Sequence, residues 1–145
     1  MAEGLLRARL SPRAAEFATV GSAGVAAAPG IRASIHSVTV CRENGIDISS
    51  QRSRPLTPVL VRQSDLILVM EEHHKDAIVH MSPAARDKVF VLPQYATESA
   101  LTPGVPDPIG QEVGAYREVF RKLDEYTTQA LPRIEASIAA AGKSV

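Results

Sequence analysis

Several groups in the 145-residue sequence have the types and spacing to do chemistry. Asp107 stands between Pro106 and Pro108, a loop carboxyl group of a type that can exchange a proton. The same Pro-Asp-Pro pattern also serves as a plain acidic turn. Glu71-Glu72-His73-His74 offers metal-ligand residue types. Neighbouring histidines on a helix diverge by about 100°, however, and no H-E-x-x-H spacing is present, so no metal site is expected. Arg52 and Arg54 are read either as a basic rim near a substrate or as solvated loop arginines. Cys41 is the only cysteine, which excludes an intrachain disulfide or a Cys-Cys metal pair. A lone cysteine among helix-spaced apolar residues most simply packs as a small hydrophobe.

The elements that must position these groups follow from periodicity and punctuation. Ala2 to Leu10 favours helix and is stopped by Ser11-Pro12. Ala18 to Val20 reads as a short buried strand entering the Gly21-Ser22-Ala23-Gly24 turn. Ile35, Val38 and Cys41 recur at helical spacing up to Gly45, which fits a C-terminal cap. Thr57-Pro58 has the form of an N-cap and a first-turn proline, giving a helix through Gln63. Leu66 to Met70 is a continuous apolar run, the pattern of a strand covered on both faces of a parallel sheet. A helix over 71–81 should turn Ala77 and Ile78 inward and is stopped by Ser82-Pro83. Lys88 to Leu92 is a second strand, 96–110 a Pro- and Gly-rich loop, and 112–140 a long helix that Pro132 should bend or split. Strands alternating with helices give an α/β fold with helices on both faces of a parallel sheet. Ligands of such sheets bind beyond the C-terminal strand ends, which singles out the loops 21–30, 70–73 and 92–110.

Length and 45% hydrophobic content suit a single domain over 1–145. Sixteen basic residues balance sixteen acidic ones, so no broad field draws the chain to nucleic acid or to a membrane, although local patches remain open. No apolar run is long enough to span a bilayer, and no signal peptide is evident at the N-terminus. A cytoplasmic protein is expected.

Five segments, in order, resemble the low-molecular-weight protein-tyrosine phosphatases: Met1-Ala2-Glu3-Gly4-Leu5-Leu6; Ser22-Ala23-Gly24; Gly45-Ile46-Asp47-Ile48-Ser49 through Arg52-Ser53-Arg54-Pro55-Leu56-Thr57; Asp65 to Met70; and Val105-Pro106-Asp107-Pro108-Ile109-Gly110. The resemblance covers nearly the whole chain. It implies a three-layer α/β/α, flavodoxin-like fold, no cofactor and no metal, and a phosphorylated protein as partner. It also implies Asp107 as general acid, Ser22 as support for the phosphate loop or else a plain turn serine, and Gln51 at a loop-supporting position where relatives often carry histidine.

In the family the Met-Ala-Glu stretch follows a first strand and a C-x5-R-S/T phosphate loop, roughly a dozen residues or more with a strand of about 5. This sequence begins after that point, and the position that would close such a loop from Cys41 is Asp47. The chain as given is therefore expected to lack nucleophile and phosphate-loop arginine and to be inactive. Met1 is then an internal methionine taken for a start, or the beginning of a shortened form. The alternatives are a catalytically dead phosphoprotein-binding module and a fragment that does not fold. Ile109-Gly110 replaces the tyrosine pair of many tyrosine-directed relatives and is similar to the protein-arginine phosphatase branch, so phosphotyrosine and phosphoarginine both stand as substrates. A thioredoxin-coupled arsenate reductase would need further cysteines downstream.

Overall fold

The computed structural model describes residues 1–142. Its elements run α1 (Ala2–Arg9), α2 (Pro12–Phe17), α3 (Ile35–Glu43), α4 (Pro58–Gln63), β1 (Ile67–Val69), α5 (Glu72–Met81), a 3-10 turn (Pro83–Lys88), β2 (Val89–Val91), α6 (Leu92–Thr97) and α7 (Val113–Gly142). β1 and β2 pair in parallel, with Ile67 opposite Val89, Leu68 opposite Phe90 and Val69 opposite Val91. Because side chains alternate along a strand, this register sorts the two apolar runs onto opposite faces. Leu66, Leu68, Met70 and Phe90 join the larger core, which holds Leu5 of α1, Val40 and Cys41 of α3 and Tyr116 to Ile134 of α7. Ile67, Val69, Val89 and Val91 meet Val61 of α4 and Ile78 of α5 on the other side. The result is helices on both faces of a parallel sheet, the α/β/α arrangement expected.

The helix ends show why these segments are helical. Ser11 Oγ accepts from Ala14 N–H at 3.3 Å and Thr57 Oγ1 from Leu60 N–H at 3.2 Å, each ahead of a proline in the first turn. α3 closes with Gly45 at φ 75°, its N–H reaching Arg42 O at 3.0 Å and that of Ile46 reaching Cys41 O at 2.9 Å. This is a Schellman closure that needs a left-handed residue.

Four expectations are corrected. Ala18 to Val20 is not a strand: the nearest ladder contact is an isolated parallel bridge between Gly24 and Pro55, and a short apolar run becomes a strand only beside a neighbour that offers its backbone. Ala77 is exposed while Ile78 is buried, one position being enough to turn a side chain off the packed face. The loop expected from Ala96 begins at Glu98, because Pro93 opens α6 directly after β2. Pro132 does not split α7, whose apolar stripe stays buried on both sides of it, at Phe120, Leu123, Ala130 and Ile134. Among the described residues no helix is long and apolar enough to cross a membrane.

Candidate functional site

α1 starts at Ala2 without a side-chain cap, and its first backbone bond within the helix is Leu5 N–H to Met1 O at 3.0 Å. The amides of residues 2–4 therefore have no intrahelical acceptor and point out of the helix N-terminus, where the dipole favours anions. Gly4 lets that turn lie close to its neighbours: a Cβ there would stand 2.7 Å from Ile48 Cγ2 and 3.8 Å from Gln51 Nε2. Gln51, half-buried, is thus carried against the first turn of α1 by buried Ile48.

Ser22 meets the same turn through Glu3. Its Oγ donates to Glu3 Oε2 at 2.5 Å, and the other oxygen of Glu3 accepts from Arg7 Nε at 3.0 Å. Arg7 in turn donates to Val20 O, and Arg54 Nε to Ser22 O at 2.9 Å, so two guanidinium groups fix the 20–22 backbone. In this structure the serine's partner is Glu3, a residue that sequence reasoning passed over. The Glu3/Arg7 spacing of four in a helix was the available signal.

Asp107 lies on the 98–112 loop, exposed, with Oδ1 accepting from Ile109 N–H at 2.9 Å. Its mooring is backbone on backbone. Val105 N–H donates to Met70 O at 2.9 Å just past the C-terminal end of β1, and Val105 is buried in the larger core. Gly104 makes the approach possible, since a Cβ there would run into Met70 O and stand 3.1 Å from Glu71 Cα. Beyond the acid, Ile109 is 76% exposed. Met1, Ala2, Met70 and Val105 all belong to the larger core that joins α1, α3, the sheet and α7.

The histidines at the α5 start do not diverge as expected. The His73 and His74 rings lie 4.1 Å apart, centroid to centroid, and with Glu71 their ligand-type atoms fall within 4.8 Å of one another. His74 Nδ1 accepts from Glu71 N–H at 3.2 Å within a reciprocal capping box, which commits two of the three side chains to holding the helix end. Arg52 Nη1 is bound to Ser49 O at 3.0 Å and Gln51 O at 2.8 Å. Cys41 is fully buried, and the loss of water around it pushes its thiol pKa up. A group so placed is no nucleophile, in keeping with the packing role expected.

The chain matches known proteins over nearly all of its length. The family model described as low molecular weight phosphotyrosine protein phosphatase matches residues 1–140. The protein-arginine-phosphatase of Bacillus subtilis is 34% identical over 135 residues, covering 93% of this chain and 87% of the relative. A probable low molecular weight protein-tyrosine-phosphatase, EpsP, of Ralstonia nicotianae is 34% identical over 94% of this chain and 87% of its own length. Among solved structures, the YwlE arginine phosphatase from Geobacillus stearothermophilus superposes with a TM-score of 0.85 at 30% identity, covering 96% of this chain and 86% of that one. With sequence, fold and the order of the loops in agreement, the chain belongs to the low molecular weight phosphotyrosine protein phosphatase family.

Proposed function

We propose that the protein hydrolyses phosphate from phosphorylated proteins through a cysteinyl-phosphate, in a full-length form that carries a C-x5-R loop ahead of Met1. The supporting observation is the convergence of Ser22 and Gln51 on the uncapped first turn of α1, an anion-favouring helix N-terminus flanked by polar side chains. A loop entering α1 there would set its cysteine thiolate against phosphorus. The S–P bond forms as the bond to the leaving group breaks, and Asp107 gives that group its proton. Water then attacks the cysteinyl-phosphate, Asp107 takes back a proton, and thiolate and inorganic phosphate are released. Neither metal nor cofactor is required. Ser22 and Gln51 support the loop and touch no reacting atom.

Phosphoarginine is the second substrate reading. Exposed Ile109 and Gly110 after the acid support it, as do the names of the Bacillus and Geobacillus relatives. As the P–N bond breaks its electron pair stays on the guanidine nitrogen, and a proton from Asp107 to that nitrogen lets arginine leave as its guanidinium, the same task as in ester cleavage. The 145-residue chain alone, lacking a C-x5-R loop, is proposed to be inactive.

The test compares the chain from Met1 with the form encoded upstream of it, on a phosphotyrosine peptide and a phosphoarginine peptide. The longer form should turn over at least one of them, and Asp107→Asn should lower its kcat by about 100-fold or more. Turnover by the 145-residue chain would refute the proposal, as would a longer form with C-x5-R that is inert to both peptides. Intact-mass measurement of the endogenous protein fixes which form the cell makes. A native start at Met1 would leave phosphoprotein binding without turnover as the remaining function.

A further inference from the structure

The overall charge balance conceals a sharp segregation. Residues 17–42 and 48–64 contain Arg32, Arg42, Arg52, Arg54 and Arg62, and not one aspartate or glutamate. The structure brings these two segments together. Gly24 N–H donates to Arg54 O at 3.0 Å, Gly30 N–H to Ser53 O at 2.8 Å and Ser53 N–H to Ile31 O at 2.8 Å. Arg32 and Arg52 thereby face each other across an isolated antiparallel bridge. The Ser53–Ile31 bond beside it makes this a non-hydrogen-bonded pair, in which opposed side chains stand closest. Like charges directly opposite one another are unfavourable. Among the described residues no carboxylate lies within ion-pair distance of Arg32, Arg52 or Arg54.

The geometry points to a recognition surface for acidic side chains that flank the phosphorylated residue of a protein substrate, with Arg32, Arg52 and Arg54 as its anchors. This rests on the phosphatase reading and adds the substrate's chemical context to it. Two of the three guanidinium groups are already oriented: Arg52 by Ser49 O and Gln51 O, Arg54 by Ser22 O. A Cβ at Gly21 would stand 2.5 Å from Arg54 Nη2, so the bare backbone there makes room for that group. All three arginines are exposed. A planar fork held on one edge and open on the other suits a carboxylate, and less side-chain freedom is lost on binding. The surface also borders the site, because Gln51 and Ser22, the two residues that flank the first turn of α1, hold Arg52 and Arg54. A carboxylate between Arg32 and Arg52 would relieve the repulsion that the bridge imposes.

Fluorescence anisotropy of a labelled, unphosphorylated glutamate-rich peptide tests this without any turnover, against a peptide of equal length with glutamine in place of glutamate. The glutamate peptide should bind, and bind more weakly as salt rises. Arg32→Gln should weaken it about threefold and the Arg32→Gln/Arg52→Gln pair about tenfold, within the range of exposed charge pairs. Arg121→Gln, on α7 beside Glu118 and Glu125, should leave binding unchanged. Arg32→Gln should also leave the melting temperature unchanged or raise it, since a repulsion is removed. Equal binding of the glutamine peptide, or a double variant that binds like the parent, would overturn the assignment. Tighter binding of a single-stranded RNA of equal charge, or of anionic vesicles, would overturn it in favour of those polyanions. Peptide binding retained by a longer form that lacks turnover would defeat the phosphatase reading alone.

Discussion

Gly104→Ala tests whether the Asp107 loop is held by its backbone docking onto the end of β1. The added methyl would collide with Met70 O and lie 3.1 Å from Glu71 Cα, both main-chain atoms that no rotamer change can move aside. The loop must therefore lift, and what it gives up can be estimated. Losing the Val105 N–H bond to Met70 O, 2.9 Å long, costs about 1 kcal/mol net. Exposing the Val105 side chain, now 2% accessible, costs about 2 kcal/mol. Together these make about 3 kcal/mol, so the ratio of docked to undocked loop falls by about a hundredfold. Native-state hydrogen exchange reads this directly. Protection at the Val105 amide should drop by about that factor, while the amides of α7 keep theirs. Val105 protection within about threefold of the parent would refute the reasoning, and so would an equal loss throughout α7, which would mean the whole domain had been weakened.

Gly114→Ala is the natural contrast: nothing lies within 4 Å of the added Cβ at this exposed position in α7, so urea denaturation should show a gain of about 0.5–1 kcal/mol. Leu5→Ala removes a fully buried side chain from the core between α1 and α7 and should cost about 2–5 kcal/mol by the same assay, whereas a loss under about 1 kcal/mol would mean the core is not closed there. Cys41 should resist a thiol reagent at pH 8 until urea unfolds the chain. Because its folded pKa is raised, the stability this brings is fully present below the ordinary thiol range near 8.5 and declines as pH rises above it, a slope that Cys41→Ala should reduce.

What the sequence made legible depended on whether the physics was local. Leu66 to Met70 is recognisable because five consecutive apolar residues have few other uses, and Thr57-Pro58 because a cap and a first-turn proline are adjacent in the chain. The short helices α2 and α6 were hidden by the double meaning of proline, which stops the helix before it and opens the one after it. Ser11-Pro12 shows both roles at once: α1 ends at Arg9, and Ser11 Oγ then caps α2. The exposed turn at Asp107 was legible because Pro-Asp-Pro is a local turn pattern, whereas a role for its carboxyl group came only from the family resemblance. The bond from Ser22 to Glu3 spans 19 residues, and the meeting of His73 and His74 depends on side-chain rotation, so neither leaves a periodic trace.

The residues around the α1 start are placed chiefly by hydrogen bonds, in contrast to Asp107, whose loop is anchored by buried Val105. Ser22 and Gln51 sit on segments without strand or helix, and both lie outside the hydrophobic core. Ser22 is aligned by a set of main-chain bonds between 24–31 and 53–56 together with the Glu3, Arg7 and Arg54 contacts, and Gln51 by its N–H bond to the carbonyl of buried Ile48. Bonds of this kind contribute about 1 kcal/mol each and act as a group, so loss of one loosens its neighbours before it threatens the fold. Arg54 is central to the set, because its side chain holds Ser22 O while its own carbonyl accepts from Gly24 N–H. Replacing it with lysine keeps the charge but loses the planar fork that reaches the 22 carbonyl. Arg54→Lys should therefore speed exchange at the Gly24 and Leu56 amides while the urea midpoint hardly moves. A lowered midpoint with those amides unaffected would show that Arg54 supports the fold and leaves the placement of Ser22 to other contacts.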